Sequence, residues 1–563
     1  MGRYNLLDEK WIAVIRADNG TTELVSMKEL YAHAQDYYSL AGEMKTQDFA
    51  ILRVLLAGLH TVFSRFDANG APYEWLEIDE DRFTQKAPIE EDDIEDYQDA
   101  LIDTWTHIWK AGRFPEIIQE YLERWRDHFN LFDEQFPFYQ VTEKEMEELA
   151  GGGGQFFGKN LNRTISESNN KVALFSPIGD IYEKKDLLDY DQLVRWLITF
   201  QGYTGTGDKK KVRGTNATCS KGWLFDLGGV FLRGESLFET LWLNCQLPVI
   251  DQREGLQIQV PSWERSTIEN VDIYFEGKVN NLASLYTNWS RAVSFNQNYR
   301  SGEAFSCMIA KLPEIDHVEK FLEPMTCWSM PVSGPMKDRF IPRKHRQEIA
   351  LWRNFSVLMG LEQDGKANRK PGIIRWYNEV ASVEKSVAHN RITICGISMK
   401  DDGNATSWSP TDEITDEINL ETAVALDTDE DGWLIRINGI INETGGRINK
   451  ILGNYLRLIS QIRGYDPTDK TFSSKGKEEF YQRIDKQFRD WLGQIEVTDS
   501  KNEQSYRWYE RLESLLLEYG AEWFREANAR DMKGFVKDGK EINIAIAYNI
   551  FRQQVYREFH MEG

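Results

Sequence analysis

Residues 47–66 read Gln47-Asp-Phe-Ala-Ile-Leu-Arg-Val-Leu-Leu-Ala-Gly-Leu-His-Thr-Val-Phe-Ser-Arg-Phe66, a run in which large apolar side chains recur at helical spacing. The same pattern returns between Ile117 and Phe129. Both segments are therefore predicted to be core helices, and they establish a helical core in the first half of the chain.

Other parts of the chain carry different patterns. Residues 224–229 and 271–274 have clustered or alternating apolar side chains, which predicts strands. From about residue 411 onward, the sequence has four long amphipathic stripes, within 448–462, 484–495, 508–519 and 544–559. The predicted fold class is α+β, with a large mixed α/β N-terminal domain over 1–410 and a C-terminal four-helix bundle over 411–563.

The composition indicates a soluble protein of the cytoplasm. Of the 563 residues, 41% are hydrophobic, yet no apolar run is long enough to span a membrane, and the first residues lack the apolar stretch of a signal peptide. The five cysteines form no CxxC pair, so we expect reduced thiols, no disulfide and no structural zinc. They are Cys219, Cys245, Cys307, Cys327 and Cys395.

The charge balance alone argues against a nucleic-acid partner. The chain has 67 Lys and Arg residues against 90 Asp and Glu residues, a formal net charge of -23, which repels a polyanion at long range. Recognition depends on local basic patches, however, and a subunit of a larger assembly can rely on positive charge from its neighbours.

The most conspicuous local patch is the glycine loop, Gly202-Tyr-Thr-Gly-Thr-Gly-Asp-Lys-Lys-Lys-Val-Arg-Gly214. It is not a nucleotide P-loop, because Asp208 follows Gly207 and no hydroxyl follows the lysines. A dinucleotide fingerprint fails too, since its third glycine would fall at Lys210. The loop is either a flexible backbone suited to lie along a sugar-phosphate backbone or an ordinary surface loop.

Two further segments leave alternatives open. Lys337 to Arg346 interleaves cationic and aromatic residues, which suits a nucleic-acid backbone or a solvated turn. The run Gly151 to Gly154 begins a polar stretch that reaches about Asp180 and is either a functional loop or a disordered one.

Enzyme motifs are absent from the sequence. Asp427 to Gly432 matches half of a calcium loop, but its twelfth position, Asn438, lacks the required carboxylate. The eight histidines form no HExxH motif, and there is no GxSxG elbow. We therefore predict no metal and no cofactor, while a nuclease built on carboxylates alone and a pure scaffold remain as alternatives.

The strings Asn5-Leu-Leu-Asp-Glu-Lys-Trp-Ile-Ala-Val14 and Phe132-Asp-Glu-Gln-Phe-Pro-Phe-Tyr-Gln140, with the glycine loop and the helical C-terminal part, resemble the CasA family over essentially the whole chain. CasA is the large subunit of the type I-E CRISPR Cascade complex. The resemblance implies a non-enzymatic subunit that recognises the protospacer-adjacent motif of duplex DNA from the minor groove. It also implies roles in duplex opening, R-loop formation and recruitment of the helicase-nuclease, with the other Cascade subunits and crRNA as partners.

The resemblance also implies DNA-binding residues. In the family's glycine loop these are Gly202, Gly205, Thr206 and Gly207, with Lys209 beside them. The family's lysine finger corresponds to Lys320, within Glu319-Lys320-Phe321. Its strand-separating wedge corresponds to Asn404, where the family usually has glutamine, and the aromatic anchor of its mobile loop, here Asn160 to Pro177, corresponds to Phe175.

Overall fold

The computed structural model describes residues 2–164, 184–206, 210–214, 221–247, 257–361, 368–388, 391–404, 409–537 and 539–560. Within them, helices are more abundant than strands, and the strands form several small sheets of two or three members. This arrangement confirms the α+β class.

The strands of the described residues are short, apart from one long pair. They are β1 (Arg3–Asn5), β2 (Ile12–Arg16), β3 (Thr22–Val25), β4 (Tyr37–Leu40), β5 (Asn130–Phe132), β6 (Gly154–Phe157), β7 (Gly229–Arg233), β8 (Arg291–Phe295), β9 (Ser306–Lys311), β10 (Trp328–Ser329), β11 (Ile341–Pro342), β12 (Asn368–Arg369), β13 (Arg391–Asp401), β14 (Pro410–Glu421), β15 (Phe535–Lys537) and β16 (Lys540–Ile542). The three-stranded sheets have the orders β3-β2-β4, β6-β9-β8, β11-β10-β12 and β14-β13-β7.

The helices include several of a single turn and a few that exceed five turns. They are α1 (Met27–Ala32), α2 (Lys45–Phe63), α3 (Ile94–Ala111), α4 (Ile117–Arg124), α5 (Glu143–Ala150), α6 (Gly158–Leu161), α7 (Tyr190–Tyr203), α8 (Leu237–Leu243), α9 (Glu269–Glu276), α10 (Leu282–Tyr286), α11 (Phe355–Leu358), α12 (Gly372–Val383), α13 (Lys385–Ala388), α14 (Thr422–Leu426), α15 (Trp433–Arg447), α16 (Gly453–Ile462), α17 (Thr471–Leu492), α18 (Lys501–Arg525), α19 (Ala529–Lys533) and α20 (Ile544–His560). None of the described helices is long and apolar enough to cross a membrane.

Helix α2 forms the centre of the first compact unit, which comprises residues 1–345, 360–384 and 394–417. Almost every residue of α2 is buried, and the helix packs against α7 and α10. Near its middle, the guanidinium of Arg53 donates to both carboxylate oxygens of Glu323, at 2.8 and 2.7 Å. An arginine thus occupies the core because a carboxylate 270 residues away neutralises it.

The second compact unit comprises residues 346–359, 385–393 and 418–563. Its long helices carry the four predicted stripes. Helix α15 continues through a π-helical turn, Ile448–Leu452, into α16, which packs against α17 and α20, while α18 packs against α17 and α20. The domain boundary at residue 410 and the four-helix bundle as an architecture stay predictions.

Two sequence predictions of strands are wrong. Residues 271–274 belong to helix α9, where Val271 and Tyr274 are buried one turn apart on the same face. Within 224–229, the chain first makes a 3-10 turn, Trp223–Asp226, and strand β7 begins only at Gly229. Four apolar-rich residues are too short a window to distinguish a period of two from a helical period.

Candidate nucleic-acid interface

The glycine loop begins later than the sequence predicts. Gly202 lies in the last turn of α7 and is buried, and a Cβ added there would lie 2.8 Å from Cδ1 of Leu224. The prediction that Gly202 belongs to an exposed loop is therefore wrong: it is a close-packing position. The loop itself starts at Thr204, whose carbonyl accepts a hydrogen bond from the amide of Gly222 at 2.9 Å.

The next residues of the loop are also buried and are held by two cations. The carbonyl of Gly205 accepts from Nη2 of Arg291, and the carbonyl of Thr206 accepts from Nζ of Lys311, each at 2.7 Å. Gly205 and Thr206 thus form a fixed base of the loop rather than its exposed surface. Gly207 and Lys209 lie outside the described residues.

The returning leg of the loop pairs with Lys311, the last residue of the central strand β9. The amide of Lys311 donates to the carbonyl of Lys210, and the amide of Val212 donates to the carbonyl of Lys311, both at 3.0 Å. The amide of Arg213 donates to the carbonyl of Leu149 at 2.7 Å. Lys210 and Arg213 are exposed, so this returning leg carries the accessible positive charge of the described loop.

Lys320 lies in a second loop, the finger loop, which comprises residues 313–322. Its amide donates to the carbonyl of His317 at 3.3 Å, and the preceding residue, Glu319, has a left-handed backbone with φ of 54°. The side chain is half-buried, and no ion pair involving it occurs among the described residues.

The finger loop is attached to the turn Trp223–Asp226, here called the central turn. The imidazole of His317 stacks on the indole of Trp223, and its Nε2 donates to the carbonyl of Trp223 at 2.9 Å. Burial lowers the pKa of His317, which keeps the ring neutral. The indole Nε1 of Trp223 donates to Glu323 at 2.6 Å, and Glu323 pairs with Arg53. The finger loop is thus fixed to the core of the unit.

Asn404 lies in the hairpin that joins β13 to β14. Its amide donates to Oδ1 of Asp402 at 3.0 Å, its side chain is exposed, and Gly403 before it has φ of +67°. At the foot of the hairpin, Asp401 forms an ion pair of 3.1 Å with Lys344, which also lies 3.6 Å from Asp226 of the central turn. The hairpin therefore connects to the same turn.

The central turn consequently supports all three segments. Leu224 packs against Gly202 at the end of α7, and Gly222, directly before the turn, donates to Thr204 at the start of the glycine loop. Trp223 carries the finger loop, and Asp226 pairs through Lys344 with the hairpin. Lys221 adds an ion pair of 2.6 Å with Asp226. Lys320 and Asn404 follow Gly202 by about 120 and 200 residues in the sequence. The fold thus brings all three segments to one four-residue turn.

The second basic cluster, Lys337 to Arg346, lies beside the finger loop. The carbonyl of Phe340 accepts from the amide of Glu319 at 2.9 Å. The guanidinium of Arg369, on the neighbouring strand β12, lies over the ring of Phe321, 3.8 Å from its centroid. The basic cluster therefore contacts the finger loop, which carries Lys320.

Several residues of this site were not predicted from the sequence. Trp223, His317 and Glu323 carry no motif, and their contacts join distant parts of the chain. Lys344 lies within the predicted basic cluster, but its pairing with Asp226 and Asp401 was not predicted. Arg53 does carry a signal: a lone arginine between Leu52 and Val54 in an apolar helix indicates a buried ion pair. Phe175 and most of the Asn160 to Pro177 segment lie outside the described residues.

The other candidate sites have structural explanations. Asp427 of the calcium-like segment accepts from the amide of Trp433 at 2.8 Å, at the beginning of α15, and pairs with Lys501 at 3.4 Å. Among the described residues, no group of three His, Cys, Asp or Glu side chains is placed to hold a metal ion. The described cysteines Cys245, Cys307, Cys327 and Cys395 are buried free thiols.

A family model for CRISPR-associated protein Cse1 matches residues 5–519 of the chain. The chain belongs to the Cse1 family. It is 23% identical over 377 residues to the CRISPR-associated protein CasA/Cse1 of Thermus thermophilus, a match that covers 65% of this chain and 61% of that relative. The match therefore spans less than two thirds of the relative's length. Family membership confirms the resemblance stated from the sequence.

Solved structures of the Cse1 family share this fold over nearly the whole chain. The crystal structure of Thermobifida fusca Cse1 has a TM-score of 0.78 at 20% identity and covers 99% of this chain and 98% of that one. Cse1 from Acidimicrobium ferrooxidans has a TM-score of 0.70 at 19% identity, with 99% and 98% coverage. A chain of a CRISPR RNA-guided surveillance complex has a TM-score of 0.61 at 15% identity, with 99% and 100% coverage.

Proposed function

We propose that this chain is the non-enzymatic large subunit of a type I-E CRISPR surveillance complex. Its partners are the other Cascade subunits with crRNA, double-stranded target DNA and a helicase-nuclease that it recruits. In this role it recognises the protospacer-adjacent motif from the minor groove and promotes duplex opening and R-loop formation in the cytoplasm. Membership of the Cse1 family and the likeness to a chain of an RNA-guided surveillance complex support this proposal.

The observation that carries the proposal is the attachment of the glycine loop, the finger loop and the β13–β14 hairpin to the central turn. Because one turn holds all three segments, three individually weak contacts can act on the same short stretch of the DNA duplex. The chain's net charge of -23 is compatible with this role, since the contact is local and the long electrostatic track lies on other subunits and the guide.

Each segment has a distinct part in the proposal. The Lys320 ammonium donates to base-edge acceptors in the minor groove, where A·T and T·A pairs present similar acceptors, so several motifs are tolerated. Asn404 inserts at the duplex end and unstacks a base step, at a cost of a few kcal/mol that guide pairing offsets. On the resemblance alone, Gly207 and Lys209 are assigned DNA contacts in the glycine loop, and Phe175 is assigned as the aromatic anchor of the mobile loop.

The test is DNA binding by the assembled complex that contains Lys320→Ala. The change removes one cation from the groove, and we expect affinity for a target duplex to fall about tenfold while assembly with the guide-bearing subunits is unchanged. Lys86→Ala is the matched control, because Lys86 is an exposed lysine that pairs with Glu77 at 3.0 Å in another loop. Equal affinities of the wild type and Lys320→Ala at moderate salt would overturn the assignment.

The absence of catalysis has its own test. The purified chain is incubated with duplex DNA and Mg²⁺ or Mn²⁺, and we expect no strand cleavage above the metal-free control. Metal-dependent cleavage that disappears when one Asp or Glu is neutralised would instead establish the carboxylate nuclease.

A further inference from the structure

A small cavity adjoins residues 136–139 in the first compact unit. Its volume is about 20 Å³, and aromatic side chains, among them Phe136, Phe138 and Trp289, form much of its lining. A space of this size holds one particle that is as large as a water molecule or slightly larger. It is too small for a phosphate or carboxylate group, so it suits a monatomic species.

Arg265 places a positive charge at this cavity. Its side chain is half-buried, and its guanidinium forms no hydrogen bond or ion pair with any residue that the structure describes. Desolvated arginines elsewhere in the unit do have partners. Three of them, Arg53, Arg65 and Arg195, each pair with a glutamate at 2.7 Å.

The two glutamates that lie nearest to Arg265 in the sequence are engaged elsewhere. The carboxylate oxygens of Glu264 accept from Arg65, at 2.7 and 2.9 Å. Glu269 is exposed and accepts from the hydroxyl of Ser266 at 2.8 Å. Burial lowers the pKa of Arg265, the direction expected when no close carboxylate offsets the desolvation of a cation. The guanidinium therefore lacks a close counter-charge.

The cavity also has an indole donor without an acceptor. No carboxylate is among the described residues that line it, and the side-chain amide of Asn270 already donates to the carbonyl of Ser262 at 2.7 Å. The Nε1 of Trp289 is buried and has no hydrogen-bond partner in the described part of the chain. Arg265 and Trp289 thus offer N–H groups without acceptors, and a buried unsatisfied donor is costly.

The segment beside the cavity has a backbone that needs support. Tyr139 has φ of 58°, in the left-handed region that large side chains rarely adopt. The side chain of Gln140 fixes the following residue, because it donates to the carbonyl of Leu131 at 2.7 Å and accepts from the amide of Phe295 at 3.0 Å. Such a conformation persists only where its surroundings hold it. A further contact across the cavity would strengthen that support.

We propose that this cavity binds one chloride-sized anion, which accepts hydrogen bonds from the guanidinium of Arg265 and the indole of Trp289. The anion supplies the missing counter-charge and joins Arg265 to residues 136–139. A water molecule in its place would satisfy a donor but would leave the cation uncompensated. The site involves no contact with nucleic acid, so it is independent of the proposed role in DNA recognition.

The first test locates the anion with bromide, which substitutes for chloride and is identified by its anomalous scattering. In crystals of the full chain grown with sodium bromide, we expect an anomalous peak in contact with Arg265. Crystals of Arg265→Gln grown in the same way should have no peak at this place. Bromide at exposed basic residues only, with water or nothing in the cavity, would overturn the proposal.

The second test measures thermal unfolding while sodium chloride replaces sodium gluconate at constant ionic strength. Gluconate is too large for the cavity. We expect the melting temperature of the wild type to rise by about 1–2 °C when chloride is about tenfold above its dissociation constant. Arg265→Gln should lack this rise. Arg113→Gln is the matched control, because Arg113 is exposed and forms no ion pair with a described residue, and it should respond like the wild type.

The same measurements separate anion binding from a packing role of Arg265. In gluconate, we expect Arg265→Gln to unfold at or above the melting temperature of the wild type, because the uncompensated cation is gone. In chloride it should unfold below the wild type. An equal loss of stability in both salts would indicate packing and contradict the proposal, and so would the same chloride response in all three proteins. If Arg265→Gln does not fold, the bromide experiment on the unchanged chain decides alone.

Discussion

The imidazole of His317 stacks on the indole of Trp223, with 4.1 Å between the ring centroids and 5° between the ring planes. Trp223 begins the central turn, and Gly222 directly before it donates to Thr204 at the start of the glycine loop. His317 lies three residues before Lys320. This stacked pair therefore connects the two loops that we propose to contact DNA. Changes to it or to its support are expected to affect both loops together.

The stack makes stability depend on pH in a defined direction. Burial lowers the pKa of His317 below its ordinary value of 6.5, so the unfolded chain binds this proton at higher pH than the folded protein does. The neutral ring contributes its stability fully above about pH 6.5, and the contribution is lost as the pH falls through the folded-state pKa.

His317→Phe keeps a stacking ring and removes this titration. We expect the variant to be less stable than the wild type by about 1 kcal/mol near neutral pH, because the hydrogen bond to Trp223 is lost. The difference should shrink or reverse at about pH 5. Thermal unfolding of both proteins over this pH range measures the difference in stability. The other buried histidines are present in both proteins, so their titration cancels in the comparison. Parallel pH profiles would refute the prediction.

The buried pair Arg53 and Glu323 supports the same stack. Glu323→Ala leaves the guanidinium without its carboxylate and the Trp223 indole without its acceptor. We expect the free energy of unfolding to fall by about 3–5 kcal/mol. The double change Arg53→Met with Glu323→Leu should recover much of this loss, since no charge is then left buried. Urea unfolding measures the free energy of unfolding of both variants. If the double variant is no more stable than Glu323→Ala, an uncompensated buried charge is not the cause of the lost stability.

The closure of the glycine loop at its base depends on Gly222. A Cβ added there would lie 2.2 Å from the carbonyl oxygen of Gly202, a backbone atom that cannot move alone. We expect Gly222→Ala to lower both the melting temperature and the DNA affinity of the complex. Gly439→Ala is the matched control, because this helical glycine has no atom within 4 Å of an added Cβ. It should raise stability by about 0.5–1 kcal/mol.

Asn404 is expected to act on duplex opening more than on initial capture. Asn404→Ala removes the polar side chain that we propose to enter the base stack, and a fluorescent base analogue beside the protospacer-adjacent motif reports the opening rate. Asn69→Ala is the control, since the amides of Asn404 and Asn69 both donate to an aspartate two residues earlier, Asp402 and Asp67. Equal opening rates for the two variants would remove Asn404 as the wedge.

The sequence was sufficient to predict those elements whose residue pattern lies within one continuous segment. The stripe of α2 and the four C-terminal stripes were readable because long helices repeat their period several times. Residues 271–274 were wrongly predicted to be a strand, because one helical turn and a short strand can have the same apolar composition. The attachment of the finger loop to the central turn could not be predicted, since Trp223 and His317 are 94 residues apart and only the folded chain brings them together.

The most direct measurement of the central claim is site-specific photo-crosslinking in the complex reconstituted with crRNA and target duplex. A photoreactive residue is placed at position 320, at position 404 or, as a control, at position 86. The account predicts DNA adducts from positions 320 and 404, at base pairs in or next to the protospacer-adjacent motif, and none from position 86. Adducts from 320 and 404 to protein alone would contradict it.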